Sequence, residues 1–112
     1  MPELVLGGHV HDYQRFTGQL AGKNVPMIIA GAGGYNLKLH TLHKAFHDAK
    51  LPVTLGNGGG SLEKFNDWQH GYLRITVTKK SIVCEYVAVP APGAKVKGPV
   101  KAFESHKIPT NY

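Results

Sequence analysis

Tyr72-Leu73-Arg74-Ile75-Thr76-Val77-Thr78-Lys79-Lys80-Ser81-Ile82-Val83-Cys84-Glu85-Tyr86-Val87-Ala88-Val89 holds two strand patterns joined by a polar turn. From Tyr72 to Thr78 the residues alternate: Leu73, Ile75 and Val77 fall on one face, Arg74, Thr76 and Thr78 on the other. Thr78-Lys79-Lys80-Ser81 turns the chain, and Ile82 to Val89 returns as the antiparallel partner before Pro90. Cys84, the one cysteine, sits inside this pattern. It has no partner for an internal disulfide, reads as a small buried hydrophobe, and leaves the redox compartment and localisation open.

The remaining elements are expected on either side of this hairpin. Glu3 to Leu6 reads as a short strand entering Gly7-Gly8, and His9 to Phe16 as a polar, aromatic loop. Val25 to Ala30 (Val-Pro-Met-Ile-Ile-Ala) is a continuous apolar run, which suggests a strand covered on both faces, ended by Gly31-Ala32-Gly33-Gly34. Leu37 to Leu51 is the one helical pattern: Leu39, Leu42, Phe46 and Ala49 form a stripe, His40, His43 and His47 lie beside it, and Pro52 closes it. Gly56 to Gly60 is too glycine-rich for regular structure, and Ser61 to Gly71 reads as irregular, with Trp68 as its anchor to the core. Val96 to Ile108 is a weak strand. Residues 1–112 thus read as one α+β unit, mostly β, with one helix.

Composition narrows the partners. Of 112 residues, 42% are hydrophobic and 18% charged, a globular balance. No apolar run approaches the ~20 residues that would span a bilayer, so no membrane partner is expected. Met1-Pro2-Glu3-Leu4 has neither the basic start nor the apolar core of a signal peptide. The net charge is +6, but its lysines are spread thinly and only Arg15 and Arg74 could form bidentate forks. Specific nucleic-acid binding is therefore not expected, while anionic substrates suit the charge.

Gly8-His9-Val10-His11-Asp12-Tyr13-Gln14-Arg15 carries the chemistry. In an extended strand His-x-His turns both imidazoles to one side; in a tight loop they can diverge to two metals. The plain alternative is a pair of surface histidines. His43 and His47 have the spacing of a helical zinc pair, but Lys44 stands where His-Glu-x-x-His needs Glu. His70 and His106 read as structural.

Gly-His-x-His followed by x-Tyr-x-Arg resembles the last conserved motif of the calcineurin-like metallophosphoesterases, especially the purple-acid-phosphatase branch. Gln14 stands where that branch more often has Glu. Met27 to Gly34 resembles the family's strand entering a Gly-x-Gly-Gly loop. Trp68 to Ile75 resembles its His-Gly-Tyr strand, and Phe103 to Lys107 its closing strand. The resemblance implies a share of an αββα β-sandwich, and a parent enzyme hydrolysing phosphate esters, mainly monoesters, through a metal-bound hydroxide. It implies His11 on the first, redox-active metal and His9 on the second, with iron, zinc or manganese as the pair. Two such ions about 3.5–4 Å apart would clamp the ester. Tyr13 and Arg15 would lock the loop or touch substrate, and Gly33 and Gly34 would lie at the substrate side of the rim.

The family's Asp-x-His, Gly-Asp-x-x-Asp and Gly-Asn-His motifs do not occur here. The chain is therefore expected to be the C-terminal portion of a larger domain, to need the N-terminal part of that domain as partner, to self-associate when alone, and to be inactive alone. Two rival readings remain: a non-catalytic basic binding module, and a single-metal binder using His9, His11 and His43 or His47.

Overall fold

A computed structural model describes residues 2–34, 50–56, 60–90 and 101–111. These hold eight strands: β1 (Val5–Gly7), β2 (Tyr13–Leu20), β3 (Lys23–Ala30), β4 (Val53–Thr54), β5 (Ser61–Asn66), β6 (Gly71–Val77), β7 (Ser81–Ala88) and β8 (Glu104–Pro109). They form a five-stranded sheet, β1-β3-β2-β5-β4, and a three-stranded sheet, β6-β7-β8. The described part is mostly β. The expected helix lies outside the described residues except for Lys50 and Leu51, which are not helical.

The hairpin forms with Val77 opposite Ile82 and Gly71 opposite Ala88. Its turn is closed by the Thr78 amide donating to the Ser81 carbonyl at 2.8 Å, while Thr78 Oγ1 accepts from the Lys80 and Ser81 amides at 3.2 and 3.0 Å. A threonine hydroxyl facing its own following amides is a local reason for the chain to reverse here. β3 is an interior strand of the larger sheet, lying between β1, to which it is parallel, and β2, to which it is antiparallel. Val25 and Ile28, on opposite faces of it, are both almost fully buried, as a two-sided apolar strand requires.

Tyr13 to Phe16, read from sequence as the end of a loop, and Ser61 to Asn66, read as irregular, both lie in strands. Tyr13–Leu20 is β2, joined to β3 by the two-residue turn Ala21-Gly22, where both residues take positive φ (49° and 79°). Ser61–Asn66 is β5, paired with β2 through a bulge that leaves Glu63 as the extra residue. Neither shows apolar alternation, because the side of β2 facing the second sheet is polar: Tyr13, Arg15 and Thr17 point there.

The two sheets meet in one core. Tyr13 and Ile28 from the first sheet pack with Ile82, Cys84, Tyr86 and Ile108 from the second, flanked by Leu4, Ala30, Leu73, Ala88 and Phe103. The Tyr13 and Tyr86 rings stack with centroids 4.3 Å apart, and Phe103 stands edge-on to both, geometries that aromatic quadrupoles favour. Cys84 is a buried free thiol within it. Trp68 lies at its margin, 43% exposed and edge-on to Phe65 and Phe103, so the tyrosine pair rather than Trp68 anchors this region.

Candidate functional site

β1 ends at Gly7 and β2 begins at Tyr13, leaving five residues to carry both histidines. The Val10 amide donates to the Gly8 carbonyl at 2.9 Å, and the Asp12 amide to the Val10 carbonyl at 2.9 Å. These are two successive three-residue turns, centred on His9 and His11. His9 has φ of 73°, the value of the rare, strained form of such a turn. Held in a β-carbon-bearing residue, such a conformation costs on the order of 1–3 kcal/mol. Its imidazole is exposed and that of His11 half-buried.

Glycines fix this turn against the rim. The Gly31 amide donates to the Asp12 carbonyl at 3.0 Å. A β-carbon on Gly31 would lie 2.1 Å from the Val10 carbonyl oxygen, so only glycine admits the turn at this distance. Ala32 then accepts from the Gly71 amide at 3.0 Å, and His70 from the Val89 amide at 2.7 Å. The loops after β1, β3, β5 and β7 are thereby tied into one rim, with Gly33 and Gly34 exposed on it.

Below the turn the polar side chains are committed to one another. Tyr13 donates its hydroxyl to Glu104 Oε2, and Arg15 donates from Nε and Nη2 to Glu104 Oε1 at 2.9 and 2.6 Å. Burial opposes the Glu104 charge, but the hydrogen bonds from Arg15 and Tyr13 outweigh it and hold the carboxyl below its ordinary range. Burial, with Glu104 beside it, pushes the Tyr13 phenol well up. Burial and the Arg15 charge lower the His106 imidazole.

Asp12 is 2% exposed and its carboxylate accepts from Gln14 Nε2 at 2.9 and 3.2 Å. Burial raises its pKa, the Gln14 bond opposes that, and the charge of fully buried Asp67 adds to the rise. Gln14, the departure from the resembled motif, therefore suits this chain: a glutamate there would face a carboxylate with no donor. Burial pushes the Tyr86 phenol up to about 12, with the Asp12 charge adding to it.

Among the sequence-predicted residues, the structure brings His9, His11, Gly33 and Gly34 to one rim, and turns Tyr13 and Arg15 inward to Glu104. His43 and His47 lie outside the described residues. Among the described residues no group of three or more His, Cys, Asp or Glu side chains could hold a metal ion. Sequence reasoning missed Asp12, Gly31 and Glu104. One signal for Glu104 was present: Glu104, His106 and Ile108 alternate with Ser105 and Lys107, and Ile108 is core. No protein-family model, curated protein or solved structure matches the chain.

Proposed function

We propose that this chain supplies one edge of a dinuclear metal centre that hydrolyses phosphate monoesters, as the C-terminal portion of a calcineurin-like metallophosphoesterase domain. The single observation that carries this reading is the His9 backbone. A strained residue in an exposed turn persists where function needs it, and here the strained residue is one of two imidazoles. The back-to-back turns at His9 and His11 suit divergence of the two rings to different ions, His11 to the first and His9 to the second. The turn also follows a parallel strand pair at its carboxyl end, where open α/β sheets commonly bind ligands.

The ions, iron, zinc or manganese, would supply a hydroxide nucleophile and charge neutralisation at the phosphoryl oxygens. The chain's own residues bind and orient. Gly33 and Gly34, without side chains, leave the rim open to a phosphate group. Tyr13 and Arg15 act below the turn rather than on the substrate. The net charge of +6 favours approach of an anionic ester. The carboxylate and further imidazole ligands come from outside these 112 residues.

Zinc or manganese titration followed on the histidine imidazole resonances tests this reading. Both His9 and His11 should respond, weakly and to one ion, while His70 and His106 should not. The chain alone should hydrolyse an aryl phosphate no faster than metal alone. Imidazoles of His9 and His11 indifferent to metal would remove the proposal. Metal-dependent turnover lost in His9→Ala would show a complete site in this chain and overturn the shared-centre reading.

A further inference from the structure

We propose that Glu104 is a positioning residue for the His9–His11 turn, clamping from the last strand the two inward side chains that follow it. The proposal deepens the metal-centre reading and rests on it for the purpose of the clamp. Glu104 lies on β8 of the smaller sheet, while Tyr13 and Arg15 open β2 of the larger one. Both carboxylate oxygens are engaged: Oε2 by the Tyr13 hydroxyl, and Oε1 by Arg15 Nε and Nη2 at 2.9 and 2.6 Å. The Glu104 and Arg15 side chains are only 10% and 17% exposed.

The arrangement is costly for a merely structural contact. Buried charge pairs seldom stabilise more than apolar side chains of the same volume, and neighbouring Ile28 shows that an apolar residue fits this face. What a carboxylate adds is direction, because three donors must converge on it. Direction is what the turn needs. A strained backbone persists only where its surroundings over-determine it, and on the N-terminal side the turn is held by β1, which pairs over just three residues. On the C-terminal side stand Asp12, bonded to Gly31, and then Tyr13 and Arg15, gripped by Glu104. Tyr13 is further fixed by its stack on Tyr86. The rigid side of the His9–His11 turn therefore ends on Glu104.

Amide hydrogen exchange on the full chain tests the clamp, using Glu104→Gln, which keeps the volume but offers one acceptor oxygen, and Tyr13→Phe, which keeps the ring and removes one donor. Exchange at Val10, Asp12 and Gly31, the amides that hold the turn, should accelerate at least about tenfold in both variants. The Cys84 and Tyr86 amides should change only as far as global stability does. A uniform acceleration across all these amides would mean a structural role only and would overturn the proposal. Zinc is then added to each protein. Imidazoles of the unaltered chain that ignore zinc would defeat the metal reading, while the exchange pattern still decides the clamp. If the unaltered chain responds and Glu104→Gln binds zinc equally well, Glu104 does not position the site and the proposal fails.

Discussion

Among the described residues, two with a side chain take positive φ, and they differ in what they give back. Ala21 at φ 49° precedes Gly22 at φ 79° in the β2–β3 turn, a conformation suited to Asn-Gly and unfavourable for alanine by about 1 kcal/mol. Ala21→Asn should raise the unfolding free energy by about that amount, read as a higher urea midpoint with an unchanged slope. His9→Gly should release strain of similar size, yet remove an imidazole from the rim; a loss of stability instead would mean that the His9 side chain holds the turn. Acid dependence follows from Glu104 and His106. His106 titrates in the folded chain below its ordinary 6.5 and Glu104 below its ordinary 4.5. Below each ordinary value the unfolded chain binds the extra proton, so stability falls as pH falls through that window. Asp12, raised above 3.8, acts in the opposite sense and regains stability as it protonates. Urea unfolding across pH should show a decline beginning near 6.5 that His106→Gln flattens, and a second below 4.5 that Glu104→Gln removes.

At the scale of elements, Gly31 couples the strand that carries the fold to the turn that carries the histidines. Gly31→Ala places a β-carbon 2.1 Å from the Val10 carbonyl, and overpacking of this kind costs about 1–3 kcal/mol. The variant should unfold at lower urea and displace the His9 and His11 resonances while leaving those of β6 to β8 in place. Which elements were legible follows the same chemistry. The β6–β7 hairpin and β3 could be read because their side chains alternate, or run apolar, as buried strands do. β2 could not, since its inward face carries Tyr13, Arg15 and Thr17, whose partners Glu104 and Glu63 lie far along the chain. β5 was hidden by its bulge, which sends Leu62 and Lys64 to opposite faces without strict alternation. The His9–His11 pair could be read as a short motif. Its strain, the glycine beneath it and the carboxylate behind it are properties of the assembled sheets, and no local pattern encodes them.

For the whole molecule, the two sheets close over β7 and β8 but leave β6 open. Ile75 lies opposite Cys84, and Val77 opposite Ile82, so their side chains share the core face of the smaller sheet. Cys84 and Ile82 are 0% and 8% exposed, whereas Ile75 and Val77 are 36% and 63% exposed. A row of apolar side chains on the core side of a strand is an incomplete burial, and a second copy can complete it at about 25 cal/mol for each Å² removed from water. The charge of +6 opposes association between copies, and salt screens that repulsion without weakening apolar burial. Sedimentation should therefore show reversible self-association that grows with protein concentration and with salt. Ile75→Thr combined with Val77→Lys should suppress it at both salt levels, because the substitutions remove the row and leave the Cys84 and Ile82 core intact. A compact monomer at high concentration and high salt in the unaltered chain would show that this face is stable in water, and would remove the case that β6 awaits a covering element.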